Sequence, residues 1–315
     1  MLYLQNDWIR HLEIHRDLLK EFPAVPKLEP FDHKIPQIDV FECKAYEITD
    51  ENFKSLIEST WTAGEDGAIA RLNEFATGQI QKYKELRDFP AIDGTSRLSP
   101  YLALGLVSAK HCLNVALDAN NGKFKGGNEN IAHWISEICW REFFRSILCN
   151  FPRVSKSQPF NLDSKRLKWR FDEVEFRAWK EGKTGYPIVD AGMRELKATG
   201  YISNRLRMIA ASFLTKDLLM NWQLGEAHFM SHLIDGDLAS NNGGWQWAAS
   251  TGVDTRSYLR HFNPKLQSEK FDSDGSYIRR WVPELRHLDA KRIHDPYSFL
   301  SPGEFAKLKY DFVNF

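Results

Sequence analysis

The segment IDGDLASNNGGWQWAAS holds residue types suited to binding a flat, polar ligand. It places Asp235 two residues before Asp237 and continues with paired asparagines, Gly243, Gly244 and two tryptophans. The carboxylates can accept hydrogen bonds from N–H and hydroxyl groups of a ligand. The glycines would let the backbone come close to a flat ring. A surface turn is the alternative, but the crowding of polar and aromatic residues favours a ligand site.

The segment DGTSRLSPYLALG predicts a helix start that could hold phosphate groups. We expect Ser99 to cap this helix, with Pro100 at the first helical position. Thr95, Ser96 and Arg97 come just before the cap. Their hydroxyl and guanidinium groups, together with the free N–H groups of the helix end, would form a pyrophosphate cradle. An ordinary helix start remains the alternative.

The helical segment WISEICWREFF brings a carboxylate close to aromatic and basic side chains. At spacings of three and four, Trp134, Glu137 and Arg141 share one face, and Trp140 lies on its flank. We therefore expect Glu137 between two indoles and beside the Arg141 guanidinium. An amphipathic helix with an exposed ion pair is the alternative.

The segment NRLRM also places polar residues on one helical face, ahead of an apolar run. Asn204, Arg207 and Met208 share this face. The pattern indicates that the start of the helix faces a cavity, and a solvated helix start is the alternative.

No metal site is expected, because the histidine pairs lack a metal-binding pattern. His228 and His232 have the spacing of a zinc helix, but Phe229 replaces the glutamate that follows the first histidine. His11 and His15 fail in the same way.

The composition limits the kinds of binding partner and cellular compartment that we expect. The 315 residues carry 42 basic and 42 acidic side chains, which argues against strong non-specific attraction to phosphate backbones but allows a local basic groove. The four cysteines form no C-x-x-C pair, so we expect a reducing compartment and a cytoplasmic location. No stretch of the sequence is apolar over the length that a membrane span needs.

Helical periodicity dominates the elements that must position these residues. Residues 1–20 predict one amphipathic helix, and residues 22–48 carry four prolines and predict a connector. From residue 66 onward, apolar residues recur at spacings of three and four. We expect an all-α protein in two parts: an opening helix and connector over residues 1–65, and a helical catalytic domain over residues 66–315.

Together, the four segments resemble the catalytic domain of the photolyase and cryptochrome family, most closely the bacterial class I photolyases. The similarity runs from about Ala68 to Leu288 and is nearly continuous through GKTGYPIVDAGMRELKATGYISNRLRMIAASFLTKDLL and LIDGDLASNNGGWQWAASTG. The resemblance implies an all-helical fold with FAD bound in a U shape in a central cavity. It also implies light-driven repair of cyclobutane pyrimidine dimers in DNA.

The resemblance assigns roles around the flavin. Arg207 and Asp235 would pair beside the isoalloxazine ring, and Asn241 would lie next to flavin N5, where plant cryptochromes carry aspartate and animal ones cysteine. The residues implied to bind FAD are Tyr83, Thr95, Ser96, Arg97, Leu98, Ser99, Trp134, Arg141, Asn204, Arg207, Asp235, Asp237 and Asn241.

Further roles concern the electron and the DNA lesion. A chain of indoles, Trp245, Trp222 and Trp169, would pass an electron from the surface to the flavin. The residues implied to contact the dimer or the DNA are Glu137, Trp140, Arg141, Phe144, Asn204, Arg205, Met208, Trp247 and Gln267. Glu137 and Asn241 would act together with the indole chain in catalysis, on a dimer flipped out of the duplex. The histidine pair of the related (6-4) photolyases has no counterpart here.

The implied chemistry uses fully reduced, anionic FAD, which donates an electron when blue light excites it. Family members usually begin with an α/β domain that carries an antenna chromophore. The sequence does not contain that domain, so we expect no antenna chromophore in this chain, and a short natural form and a fragment both fit. We expect a monomer. A cryptochrome-like photoreceptor and a truncated, inactive FAD- or DNA-binding remnant remain alternatives.

Overall fold

A computed structural model describes residues 2–20, 50–253 and 261–313. Within these ranges the chain forms α-helices and no β-sheet, which confirms the predicted all-α class. The predicted connector at residues 22–48 lies outside the described residues. None of the described helices is both long enough and apolar enough to cross a bilayer.

The α-helices follow one another along the chain and are numbered in that order. They are α1 (Leu2–Ile14), α2 (Glu51–Thr60), α3 (Gly64–Thr77), α4 (Tyr83–Leu86), α5 (Ser99–Leu104), α6 (Ala109–Ala119), α7 (Glu129–Asn150), α8 (Glu173–Glu181), α9 (Pro187–Thr199), α10 (Asn204–Ser212), α11 (Trp222–His232), α12 (Leu238–Ala249), α13 (Pro264–Phe271), α14 (Ser276–Trp281), α15 (Pro296–Phe299) and α16 (Pro302–Lys307). Short 3₁₀ turns and one π-helical turn, Phe213–Asp217, join some of them.

The opening segment is not one helix, as the sequence had predicted for residues 1–20. Helix α1 ends at Ile14, and a separate 3₁₀ turn covers Arg16–Leu19. The break lies at His15, which leaves helical geometry at φ −110° and ψ 58°. The turn is held from outside, since the Asn114 side chain donates to the Leu19 carbonyl over 3.0 Å.

Helix α2 lies in the part of the chain that the sequence assigned to the opening helix and connector. Asp50 caps it by accepting hydrogen bonds from the first-turn backbone. Directly after α2, Trp61 packs against Tyr101 and Tyr201, with ring centroids 6.1 and 5.5 Å apart. The Tyr101 hydroxyl donates to the Thr62 carbonyl. Residues 50–65 are therefore packed against the helical body.

Two apolar cores organise that body. The first lies among α1, α3, α5, α6 and α7 and includes Ile9, Phe75 and Trp134. The second gathers helices α8 to α12, α14 and the C-terminal segment around Trp179 and Trp245. Helix α7, 22 residues long, contacts both groups of helices, because its second half packs on α12. The polar side chains described next lie on the helices that meet there.

A buried carboxylate ties the C-terminal segment to the second core. Asp190 on α9 accepts hydrogen bonds from Thr184 through both its backbone N–H, at 2.7 Å, and its hydroxyl, at 2.6 Å. Its other oxygen accepts from the Gly185 N–H and from the Tyr310 hydroxyl. Burial raises the pKa of Asp190. The segment GKTGYPIVD therefore has a structural role, because its Asp190 connects residues 184 and 185 to Tyr310.

Candidate functional site

The predicted ion pair between Arg207 and Asp235 is present. Arg207 Nη2 on α10 lies 2.7 Å from Asp235 Oδ2, and Arg207 Nε donates to the Ile202 carbonyl. Burial alone would lower the pKa of Arg207, but Asp235 raises it above its ordinary value, so the guanidinium stays charged. The second oxygen of Asp235, Oδ1, is buried without a hydrogen-bond partner among the described residues. A buried carboxylate oxygen needs a donor, which a ligand N–H would supply.

Asn241 presents its amide oxygen rather than its amide nitrogen. Its Nδ2 donates to the Glu226 carbonyl over 3.0 Å. Because a carbonyl only accepts, this contact fixes the orientation of the amide and leaves Oδ1 as an acceptor. The next residue, Asn242, is held from both sides: it donates to Glu226 Oε1 and accepts from Gln246. These contacts hold the start of α12 in a defined position.

Asp237 has a structural task besides any ligand contact. It caps α12, with Oδ1 accepting from the Ser240 N–H at 2.9 Å and the Ser240 hydroxyl at 2.8 Å. Its Oδ2 lies 3.5 Å from Arg145 on α7. Burial acts to raise the pKa of Asp237, but the Ser240 hydrogen bonds and Arg145 outweigh it and lower the pKa. Asp237 is therefore a carboxylate near neutral pH.

The predicted cap of α5 was wrong by one residue. Leu98 is the capping residue and makes no side-chain cap bond, while Ser99 and Pro100 both lie in the first turn. Arg97 stands directly before the cap with φ 53°, a left-handed conformation that arginine rarely adopts. Its Nε donates to Asp93 over 2.9 Å. A strained residue at this position is typical of a functional loop.

Arg71 on α3 is a contributor that the sequence analysis missed. Its Nε donates to the Ser96 carbonyl at 2.9 Å, and its Nη2 donates to the Thr95 carbonyl at 3.2 Å. These two bonds hold the carbonyl side of the loop against α3. Arg71 lies 25 positions from Ser96, and no short motif links them.

Two of the residues assigned to FAD lie in the first core. Trp134 and Tyr83 are both buried, and both rings contact Phe75, at 5.1 and 5.9 Å between centroids. Burial, and then Glu137, raise the pKa of Tyr83, while the nearby Arg87 only partly opposes them. The Tyr83 hydroxyl is therefore neutral at any ordinary pH.

The guanidinium beside Glu137 belongs to Arg87 and not to Arg141, which corrects the sequence prediction. Arg87 Nη1 contacts Glu137 Oε1. Arg141 instead donates to the Leu102 carbonyl at 2.9 Å and to Glu142 at 2.5 Å. Glu137 and Arg141 do share a face of α7, but their long side chains diverge, one toward α4 and the other toward α5.

A charged network surrounds Glu137. The Nε2 atom of His133 lies 2.9 Å from Arg87 Nη1, and since arginine only donates, this nitrogen accepts and the ring is neutral. Burial and Arg87 lower the pKa of His133, in agreement with a neutral ring. On the other side, Arg205 on α10 pairs with Asp88 at 2.8 Å, next in the chain to Arg87. The network joins α4, α7 and α10 around one carboxylate.

The sequence predicted that both glycines of α12 let the backbone approach a flat ligand; the structure contradicts this for Gly243, and for Gly244 it stays a prediction. A Cβ on Gly243 would lie 2.1 Å from the ring of Phe144, so this glycine permits contact between α12 and α7 rather than with a ligand. Gly244 has no atom within 4 Å of the same position. Phe144 in turn packs against Trp140 and Phe143, at 6.2 and 5.4 Å between centroids.

Several of the residues assigned to DNA or the dimer are partly exposed. Trp247 stacks on Phe262, which the sequence analysis missed, with centroids 6.0 Å apart and planes 28° apart. Asn204 and Met208 are in contact on α10, as their spacing predicted. Gln267 Oε1 is buried without a hydrogen-bond partner among the described residues.

The three indoles assigned to electron transfer extend outward from the second core. Trp245 and Trp222 are buried, and Trp169 is half-buried. A Cβ on Gly225 of α11 would lie 2.1 Å from the Trp245 ring, so the helix that begins at Trp222 packs tightly on that indole. An isolated bridge between Arg170 and Met220 holds the chain next to Trp169 close to the start of α11.

Comparison with known proteins identifies this arrangement. The family model for the FAD binding domain of DNA photolyase matches residues 134–311, more than half of the chain. The chain belongs to the DNA photolyase family. This confirms the predicted family, and the helical fold agrees with it.

Individual relatives and solved structures support the assignment to this family. A deoxyribodipyrimidine photo-lyase of Neurospora crassa is 47% identical over 302 residues, covering 92% of this chain and 49% of the relative. The Escherichia coli enzyme of the same name is 51% identical over 295 residues, 94% of this chain and 60% of the relative. The chain thus spans about half the length of the curated relatives that it matches.

A bacterial class III photolyase from Agrobacterium tumefaciens has a TM-score of 0.79 at 40% identity, over 91% of this chain and 58% of that one. A Synechocystis cryptochrome has a TM-score of 0.72 at 37% identity, over 79% and 51%.

Proposed function

We propose that this chain splits cyclobutane pyrimidine dimers in DNA, driven by light through bound, reduced FAD. The observation that carries the proposal is the ion pair between the partly buried Arg207 and the buried Asp235, which leaves one carboxylate oxygen without a donor. The family supplies the class of ligand, since the matched domain is the FAD-binding one. The Arg207 guanidinium would favour a ring that carries negative charge, and Asp235 Oδ1 would accept a hydrogen bond from a ring N–H group.

The residues present fit FAD. Asp235 Oδ1 would accept from a ring N–H, and Asn241 Oδ1 would accept from another without adding charge. Arg207 would stabilise the anionic, fully reduced state. Residues 95–99, held by Arg71, would bind the phosphates. When bound, the cofactor supplies an electron on excitation and takes it back after the dimer has split.

The charged network would hold the lesion through Glu137. Arg87 fixes this carboxylate and brings a buried cation to the same place. A hydrogen bond from this pair to a dimer carbonyl would stabilise negative charge that arrives on the dimer. Trp140, Trp247 and Met208 would provide the apolar surfaces for the flipped bases, where stacking contributes roughly 1–3 kcal/mol per base.

The DNA contact would rest on local charge rather than net charge. The chain carries equal numbers of basic and acidic residues, while Arg145 and Arg205 lie on the helices that build the site. We propose that a monomer binds damaged DNA through a few local phosphate contacts together with recognition of the flipped dimer, so its affinity should fall with salt less steeply than that of a strongly basic DNA-binding protein.

The test is a repair assay with photoreduced protein and an oligonucleotide that carries one thymine dimer, under blue light. The proposal expects restoration of the thymines, measured by chromatography. Flavin that photoreduces without dimer loss would instead indicate a photoreceptor, which the cryptochrome neighbour also makes a candidate. Protein that neither binds flavin nor repairs would indicate an inactive remnant.

A variant of Glu137 tests the role of this carboxylate in the same assay. Glu137→Ala should lower dimer binding or the yield of splitting while the protein keeps its flavin, because the carboxylate pairs with Arg87 and not with the Arg207–Asp235 pair. Loss of flavin from Glu137→Ala would show that the network is structural.

A further inference from the structure

Apolar side chains are exposed around Trp169, the outermost of the three indoles. The four are Leu167 at 48% exposed, Phe171 at 61%, Val174 at 49% and Leu219 at 53%. Single exposed apolar residues are ordinary, but a group of them around one indole is typical of an interaction surface. The bridge between Arg170 and Met220 brings the first three and Leu219 to one place.

The backbone conformation of Leu219 adds strain to this exposed apolar surface. Its φ is 54°, in the left-handed region that leucine rarely adopts, and its side chain points into solvent. Asparagine or glycine would hold this conformation more easily. Strain at a position that also exposes an apolar side chain indicates a role other than stability.

The same surface is basic. Lys165, Arg166 and Lys168 are exposed and have no ion-pair partner within 4 Å in the described part of the chain. Of the nearby acids, Glu175 pairs with Arg170 at 2.8 Å and Asp172 accepts from the first-turn N–H groups of α8. Asp163 and Glu173 are exposed at the edges, so the excess of positive charge is confined to residues 165–170, which hold four basic side chains and no acid.

We propose that this surface docks an acidic protein that carries a one-electron redox group near its own surface. We name the surface, residues 165–171 with Val174 and Leu219, the Trp169 face. The proposal rests on the proposed function and on the indole chain that the family resemblance implies, in which Trp169, Trp222 and Trp245 would conduct an electron inward. Its apolar part would exclude water over the indole, and its basic part would steer and orient an acidic partner.

The electron balance is complete with this partner. After light has drawn one electron inward along the indoles, Trp169 is left one electron short. The docked carrier gives up one electron, is itself oxidised, and restores Trp169. Two such transfers and one proton from water convert oxidised FAD to its reduced anion.

The experiment measures binding of an acidic plant-type [2Fe–2S] ferredoxin to the full chain by calorimetry at low ionic strength. The double variant Lys165→Glu, Lys168→Glu should bind on the order of tenfold more weakly. The matched control, Lys54→Glu with Lys123→Glu, makes the same change of charge at exposed lysines without ion-pair partners elsewhere in the described chain and should bind as the unaltered protein does. Leu219→Asn should weaken binding without lowering stability.

A kinetic measurement separates this proposal from the proposed function. Ferredoxin-supported photoreduction of the flavin should slow in the Lys165→Glu, Lys168→Glu variant, while photoreduction with uncharged dithiothreitol and repair by chemically reduced protein stay unchanged. Ferredoxin that binds the variant and the unaltered protein equally, or neither, overturns the docking proposal even if repair is intact. Loss of affinity for undamaged duplex DNA, with ferredoxin binding unchanged, would also overturn it and make the Trp169 face a DNA surface.

Discussion

The neighbouring glycines of α12 allow a controlled test of how α7 and α12 meet. In Gly243→Ala the new methyl group would lie 2.1 Å from Phe144 Cδ1 and 2.4 Å from Cε1, so the ring must shift. The ring has little room, because Trp140 and Phe143 pack on it. Overpacking of this kind costs about 1–3 kcal/mol. In Gly244→Ala nothing lies within 4 Å, and the helix should gain about 0.5–1 kcal/mol.

The difference between the two variants isolates the contact, because both replace glycine by alanine in one helix and the gain in helix propensity cancels. We expect Gly243→Ala to be less stable than Gly244→Ala by about 1–3 kcal/mol in the free energy of unfolding, measured by urea denaturation. Adding Phe144→Ala should remove most of that difference, as a double-mutant cycle would show. Equal stability of the two glycine variants would refute the account of the α7–α12 contact.

Three further predictions concern buried groups. Burial raises the pKa of Glu195 from 4.5 to about 7, so the protein should lose stability as this acid ionises between those values. Glu195→Gln should therefore be more stable by about 1–3 kcal/mol at pH 8 and nearly neutral at pH 4.5, and a gain that does not vary with pH would contradict this. Asp190→Asn should cost about 3 kcal/mol or more in urea unfolding, against about 1 kcal/mol for Tyr310→Phe, and similar losses would show that Asp190 is not the centre of its cluster. Trp245→Phe should block flavin photoreduction while chemically reduced protein still repairs dimers, and failure of both would mean that the two roles cannot be separated.

Local sequence patterns predicted the helices and the contacts within one helix. Periodicity predicted an all-α body, and the spacing of Asn204 and Met208 placed them in contact, as the structure confirms. The pair of Arg207 with Asp235 came from the family resemblance, since 28 positions separate them. Helix α2 was missed although Asp50 stands at its start as a capping residue.

Contacts that depend on how helices pack could not be predicted from the sequence. The partner of Glu137 is Arg87, which follows a four-residue helix that carries no periodicity to detect. Gly243 was assigned to a ligand because its type permits close approach, but the sequence could not show that the approaching group is Phe144. The break at His15 was likewise not predicted, and the turn that follows it is held by Asn114 of α6, which lies outside residues 1–20.

The central claim is that the polar lining around Arg207 and Asp235 holds one FAD. The direct measurement is a titration of flavin-free protein with FAD, followed by quenching of flavin fluorescence, for the unaltered chain and for Asp235→Ala. We expect saturation at one FAD per chain and a large loss of affinity in the variant, which removes the acceptor Asp235 Oδ1 and leaves the partly buried Arg207 without its carboxylate partner. Unaltered protein that refuses FAD, or a variant that binds it equally well, would contradict the account.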